Sequence, residues 1–294
     1  MPAAVGSVRD ALASAADAFA AAGAGSPRLD AELLLAAATG LDRARLAAEP
    51  ELPVEPGPAR EFAAMVRRRI AREPVAYILG RKGFRRLDLA TDPRALIPRP
   101  ETELLVEVGL ELAPATVLDV GTGSGALALA LADELPGAAV TATDTSAGAL
   151  RLAAENAERL GLADRVRFEL GSLPDGGRFD LLVANLPYVT EAEWAGLEPE
   201  ISRYEPRSAL VPGPSGLEAI EAVLGELSLG RCAAAAVALE VGAGQARAVA
   251  ELVRRAGFGS VEARPDLAGI DRVVLGIDTQ GGSQTAGGAP SWRR

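Results

Sequence analysis

Two short stretches carry residue types that can hold and orient a reacting molecule. In VLDVGTGSGALALALA, Gly121, Gly123 and Gly125 follow one apolar run and open another. Glycines so spaced let the main chain turn sharply and let a ligand approach it closely. A helix that starts behind them offers unpaired N–H groups. Asp119 stands two residues before the first glycine, and Asp144 closes the next apolar run, VTATDTS. In FDLLVANLPYVTE, a third apolar run ends in Asn185-Leu186-Pro187-Tyr188. The Asn185 side-chain oxygen and the backbone carbonyl at Leu186 form an acceptor pair. Such a pair can hold both N–H bonds of an amide or an aromatic amine and aim its lone pair at an electrophile. It also stabilises the positive charge that develops on the nitrogen. Pro187 stiffens the loop, and Tyr188 offers a flat wall to a planar group.

The spacing by itself leaves the ligand open. Gly121, Gly123 and Ala126 also satisfy the dinucleotide fingerprint. Asp119 favours S-adenosylmethionine, because a carboxylate there can meet an ammonium group or order the loop, whereas a pyrophosphate would be repelled. Asp144 suits a pair of ribose hydroxyls, a feature shared with dinucleotide enzymes. The plain alternatives are a glycine turn that only packs helix on strand and an ordinary Asn-Pro turn. Strand, glycines, helix and a downstream acid in that order argue for the cofactor loop.

Composition narrows the chemistry. The 294 residues include no histidine and a single cysteine, Cys232. Histidine-based triads and histidine zinc sites are therefore excluded, as are an intramolecular disulfide and a thiolate metal cluster. A net charge of −10 favours a protein or small-molecule substrate over a phosphate backbone. No apolar run is long enough for a transmembrane helix, and the N-terminus lacks the basic start and compact apolar stretch of a signal peptide. A cytoplasmic protein is expected.

The elements that position these residues fall into two patterns. Residues 1–82 read as a small helical domain, with apolar residues at helical spacing and a proline-rich break at PELPVEPGPA. Within EFAAMVRRRIA, Arg67, Arg68 and Arg69 are expected to face solvent. Residues 83–98 suggest a hairpin or connector. Over 99–278 strands alternate with helices: strands at 116–120, 139–143, 166–170, 181–184, 234–240, 260–263 and 272–276, with helices at 124–134, 147–160 and 245–256. That alternation predicts an α/β fold with a mostly parallel, doubly wound sheet. The loop PDLAGID is too short for a crossover, so the final strand is expected to be antiparallel, which is the class I methyltransferase layout. Residues 279–294 are low-complexity and are expected to be a disordered tail.

With these residues in view, the sequence resembles the peptide chain release factor glutamine N5-methyltransferases, the HemK or PrmC family, from about Ala71 to Ile277. The resemblance rests on REPVAYILG, ALIPRPETELLVE, DVGTGSGALALALA, ANLPYV and EPRSALVPGPSGLEAI. The PRPET segment is the most specific of these. The resemblance implies a Rossmann-like methyltransferase domain behind an all-helical substrate-recognition domain. It implies cofactor contacts at Gly121, Thr122, Gly123, Ser124, Gly125 and Asp144, with another near Ser172 or Leu173. It implies a substrate-amide motif at Asn185, Leu186, Pro187 and Tyr188. The family's usual motif is Asn-Pro-Pro-Tyr, so Leu186 departs from it, while the backbone carbonyl is retained. Ser172 also departs, since the family often carries an acid there.

The implied reaction is methyl transfer from S-adenosyl-L-methionine to the glutamine amide of the Gly-Gly-Gln loop in class 1 release factors. Two alternatives are a ribosomal-protein glutamine and an adenine N6 on RNA or DNA. Asn-Leu-Pro-Tyr also resembles the motif of rRNA adenine dimethylases, but an adenine substrate calls for a basic groove and stacking aromatics. Only Arg81, Lys82, Arg85 and Arg86 cluster, and they read as a solvated edge. An NAD-dependent oxidoreductase leaves Asn-Leu-Pro-Tyr without a role. A non-catalytic interaction protein has no need of Asp119, Asp144 and Asn185. No membrane and no direct nucleic-acid substrate are expected.

Overall fold

The computed structural model describes residues 6–279, so of the low-complexity tail all but Thr279 lies outside the described residues. The chain divides into two compact units. Residues up to Arg81 together with Glu198–Tyr204 form the first, and Lys82–Leu197 with the chain from Glu205 onward form the second.

The first unit is helical: α1 (Val8–Ala21), α2 (Pro27–Thr39), α3 (Arg43–Ala48), α4 (Pro56–Ile70) and α5 (Val75–Leu79). Ser7 and Asp10 start α1 with a reciprocal capping box, which satisfies backbone donors that have no partner inside the helix. Phe19, Leu34 and Leu35 are fully buried at its centre, each worth roughly 1.5–3 kcal/mol by removal from water. Arg67 and Arg68 are exposed as expected, but Arg69 is buried. Its guanidinium donates to Asp30 of α2 at 2.8 Å and pairs with Glu200 at 2.7 Å. The run of three arginines hides this because both partners are remote in sequence. Residues 198–204 were expected within the sheet domain; Arg69 and Arg72 bind their acids, Glu198 and Glu200, into the helical unit instead.

The second unit opens with a two-stranded hairpin, β1 (Arg81–Phe84) and β2 (Leu87–Ala90). Arg85 at its turn is no solvated edge: its guanidinium is bidentate to Glu134 at 2.9 and 3.0 Å. Arg86 shares the same carboxylate at 3.2 Å.

The chain continues through α6 (Glu103–Leu112), β3 (Thr116–Val120), α7 (Ala126–Glu134), β4 (Ala139–Asp144), α8 (Ala147–Leu160), β5 (Val166–Leu170) and β6 (Arg178–Ala184). Then come α9 (Glu191–Trp194), α10 (Pro199–Tyr204, counted with the first unit), α11 (Glu218–Ser228), β7 (Ala233–Glu240), α12 (Ala246–Arg255), β8 (Ser260–Pro265) and β9 (Asp271–Ile277). Seven strands form one sheet in the order β5-β4-β3-β6-β7-β9-β8. The first five are parallel, and β9 runs antiparallel to both β7 and β8. The expected antiparallel final strand is present, inserted between β7 and β8. Strand β6 starts three residues before its expected limit because Arg178, Phe179 and Asp180 pair at a partly exposed end with no continuous apolar signal.

Strands β3 and β6 lie side by side, and the chain leaves them in opposite directions across the sheet. The carboxyl ends at such a reversal are where open α/β sheets bind ligands. Helix α7 is buried on every side from Ala126 to Ala132. Its alanine and leucine run therefore serves close packing, with Leu131 lying where a Cβ on Gly109 of α6 would meet it at 2.5 Å.

Candidate active site

A cavity of about 610 Å³ opens at the carboxyl ends of β3, β4 and β6. Gly121, Thr122, Gly123, Ser124, Asp144, Ser172, Asn185, Leu186 and Pro187 line it, whereas Asp119, Gly125, Leu173 and Tyr188 do not. Of the residues named from sequence, the first group is brought together around one space and the second supports it from behind.

The glycine loop is bent over the end of β4 by hydrogen bonds. Gly121 N–H and Thr122 N–H both donate to the Thr143 carbonyl at 2.9 Å. Gly125 opens α7 with φ +85°, and a Cβ there would meet Ala153 of α8 at 3.1 Å. Glycine is required twice over: for the left-handed turn and for the close approach of a helix. Lacking a side chain, Gly125 cannot cap α7, and Asp119 does so from the preceding strand. Its Oδ2 accepts from Ala128 N–H at 3.1 Å and from Thr122 Oγ1 at 2.6 Å. Asp119 is fully buried, so of its two expected roles the observed contacts are those that order the loop. Its second oxygen, Oδ1, is buried without a partner among the described residues.

That burial pushes the Asp119 carboxyl up to about 7, against the hydrogen bonds from Thr122 and Ala128 that lower it, with the nearby Asp144 charge raising it further. Its folded-state value lies above the ordinary 3.8. Its contribution to stability is therefore complete at low pH and is lost as pH rises through about 7. Asp119→Asn removes this dependence. Between pH 5 and pH 8 the stability difference should move in the variant's favour by roughly 2–3 kcal/mol. Urea denaturation of both proteins at the two pH values measures it, and an unchanged difference refutes the assignment.

Asp144 holds two backbone donors while facing the cavity. Its Oδ2 accepts from Gly123 N–H at 2.9 Å and its Oδ1 from Ser146 N–H at 2.8 Å. Each carboxylate oxygen keeps a further lone pair for a ligand. Ser172 anchors the next loop through its carbonyl, which accepts from Thr143 Oγ1 at 2.7 Å. Leu173 is packed in the core with Leu118 and Leu182.

The loop after β6 is held at several points. Asn185 Nδ2 donates to Thr102 Oγ1 at 2.8 Å, and Thr102 Oγ1 donates to Glu240 Oε2 at 2.7 Å. Among the described residues no donor reaches Asn185 Oδ1, and Asn185 lines the cavity. Tyr188 lies behind the loop, its hydroxyl directed at Glu240 Oε1 at 3.4 Å and its carbonyl accepting from Gln245 Nε2 at 2.9 Å. Burial raises the Tyr188 phenol well above its ordinary value, helped by the Glu240 charge, so it stays protonated. Tyr188 therefore supports the loop, and no observed contact makes it a wall of the cavity.

Gly216, with φ +77°, passes under this loop, where a Cβ would lie 2.4 Å from the Tyr188 carbonyl oxygen. Gly216→Ala should destabilise the protein by about 1–2 kcal/mol, through strained backbone and a displaced carbonyl. Thermal unfolding of the variant reads the loss; an unaltered midpoint refutes it.

The PRPET segment is fixed from another direction. The buried Glu205 accepts from Ile97 N–H at 3.0 Å and pairs with Arg99 at 2.5 Å. Thr102, Glu205, Glu240, Gln245 and Gly216 were not singled out from sequence. Thr102, Glu205 and Gly216 lay inside recognised segments, but nothing there announced their partners.

A seven-stranded sheet of this order, a glycine loop against an acid at the end of the next strand, and an amide presented beside them define a class I methyltransferase. Residues 10–80 match the PrmC N-terminal domain and residues 117–204 a methyltransferase domain. The chain is 44% identical over 277 residues to the release factor glutamine methyltransferase of Moorella thermoacetica, covering 91% of this chain and 97% of that one. It is 43% identical over 271 residues to that of Cereibacter sphaeroides, covering 90% and 96%. The chain belongs to the release factor glutamine methyltransferase family. Among solved structures, the catalytic domain of hMettl16 in complex with a MAT2A 3'UTR hairpin superimposes with a TM-score of 0.53 at 16% identity. That match covers 65% of this chain and 75% of that one and shows the fold alone.

Proposed function

We propose that this protein transfers a methyl group from S-adenosyl-L-methionine to the side-chain amide nitrogen of the glutamine in the Gly-Gly-Gln loop of class 1 release factors. The observation that carries the reading is the Asn185 amide: its Nδ2 donates to Thr102, and among the described residues no donor reaches the oxygen of this cavity-lining side chain. An amide nitrogen is a weak nucleophile because its lone pair is delocalised. Held by acceptors, it is turned so that the lone pair points at the methyl group.

The residues present fit the cofactor. Asp144 would accept its ribose hydroxyls, and the loop from Gly121 to Gly125 would lie against its amino-acid end. The unpartnered Asp119 Oδ1 is a buried acceptor behind that loop, suited to balance an ammonium group. When bound, the cofactor supplies the electrophilic methyl group. Asn185 Oδ1, with the Leu186 carbonyl as the second acceptor, holds the substrate N–H bonds. This would stabilise charge on the nitrogen as its lone pair forms the bond to the methyl carbon, whose bond to the sulfonium sulfur breaks to leave a thioether, and the nitrogen would then lose one proton to solvent.

A protein substrate agrees with the acidic chain and with the pairing of Arg85 and Arg86 to Glu134. No described helix is long and apolar enough to cross a membrane, and a release factor substrate supports a cytoplasmic location. The decisive experiment incubates the enzyme and labelled methyl donor with a purified release factor, rRNA and DNA in parallel. Mass spectrometry should find one added methyl on the Gly-Gly-Gln glutamine. Label appearing chiefly in nucleic acid overturns the reading.

A further inference from the structure

Asparagine can present either its oxygen or its NH2 to a cavity with almost no change in shape, yet only the oxygen can hold a substrate N–H. Something must decide between them. The Asn185 side chain meets Thr102 at 2.8 Å, and Thr102 meets Glu240 at 2.7 Å. Thr102 is 4% exposed and Glu240 1%, so water does not compete for these bonds. A hydroxyl has one proton. A carboxylate can only accept, so Thr102 must spend that proton on Glu240 and can only accept from Asn185. The amide NH2 is thereby drawn to Thr102, and Oδ1 is left facing the cavity.

We propose that Glu240, acting through Thr102, sets the direction of the Asn185 amide, which makes residues 102 and 240 positioning residues for methyl transfer. The inference rests on the proposed transfer to an amide nitrogen. It gives the most specific motif of the sequence, PRPET, a reason for its final threonine: that hydroxyl links Glu240 of strand β7 to Asn185 in the loop after β6. Tyr188, directed at the other Glu240 oxygen, ties the end of the same loop to the same carboxylate.

The arrangement has a built-in pH dependence. Burial pushes the Glu240 carboxyl up to about 7. The groups that face it are Thr102 and Glu101 from a single 3-10 turn, Pro100–Thr102, Tyr188 from the loop after β6 and Arg272 from β9; Glu101 raises it, and Thr102, Tyr188 and Arg272 lower it. Once protonated, Glu240 can donate to Thr102. Thr102 then donates to Asn185, and the amide is free to turn its NH2 into the cavity. Methyl transfer should therefore fall as pH drops through the Glu240 value.

The test measures single-turnover methylation of a release factor between pH 5.5 and 8.5 for wild type, Thr102→Val, Thr102→Ser and Glu240→Gln. Thr102→Val keeps the shape and loses the relay. Its rate should be about 10-fold lower at pH 8, equivalent to one hydrogen bond of about 1.4 kcal/mol, with cofactor affinity and release factor KM near wild type. Thr102→Ser restores the hydroxyl and should recover most of the rate together with the acidic limb. Glu240→Gln cannot titrate and should lose that limb.

If Thr102→Val folds, binds cofactor and methylates at the wild-type rate, the proposal is overturned. An acidic limb that persists unchanged in Glu240→Gln overturns it too. Wild-type enzyme that fails to methylate any glutamine condemns the functional reading instead, and that outcome is scored separately from the variants.

Discussion

Asn185→Ala is expected to lower turnover by about 10²-fold or more while S-adenosylmethionine affinity stays near wild type. The lost acceptor acts on the substrate nitrogen, where charge develops only as the bond forms, so the deficit belongs in the chemical step. The protein itself should tolerate the change, because among the described residues Asn185 makes a single side-chain hydrogen bond, to Thr102. Single-turnover kinetics and calorimetry on the same preparation separate the two effects. A parallel loss of cofactor binding and turnover makes Asn185 a structural residue. Asn185→Asp sharpens the test. It keeps an acceptor towards the cavity, but its second oxygen meets Thr102, whose only proton is committed to Glu240. It should be impaired despite being nearly isosteric.

Asp144→Ala should weaken S-adenosylmethionine binding by about 1–3 kcal/mol, or roughly 5- to 150-fold in Kd. Two losses combine. The ribose hydroxyls lose a charged acceptor, and Gly123 N–H and Ser146 N–H lose the carboxylate that holds the glycine loop against the end of β4. Asp144→Asn keeps one acceptor oxygen and should fall between wild type and alanine. The kcat at saturating cofactor should change less than Kd, since the proposed contact of Asp144 is with the ribose and not with the nitrogen held by Asn185. Titration calorimetry gives the affinities. Wild-type affinity in the alanine variant would show that the ribose is held elsewhere.

How far the site could be read in the chain follows the distance over which each residue acts. Gly121, Gly123, Asp144 and Asn185 stand at or just past the ends of strands, each within one strand–loop step. Local patterning therefore identified them, and the strand order places them around one cavity. Thr102 shows the opposite case. Its partners lie 83 and 138 positions away, and a threonine closing a short helical turn has no local mark of being buried between an amide and a carboxylate. Glu240 reads as the polar end of an apolar strand, and only packing reveals that it is 1% exposed.

By itself the sequence determined the class of fold, the antiparallel last strand, the cofactor loop and the amide motif, because each depends on periodicity or on residues within one strand–loop–helix step. It also pointed to the substrate, through family segments such as PRPET and EPRSAL. The tertiary structure decided the rest. It buried Arg69 between Asp30 and Glu200, inserted β9 between β7 and β8, gave Asp119 the first turn of α7 to cap, and joined PRPET to Glu205. The physical reason is common to all four. A buried polar group must find its partner wherever the packed chain supplies one, and one sequence carries no record of which distant donor meets which acceptor.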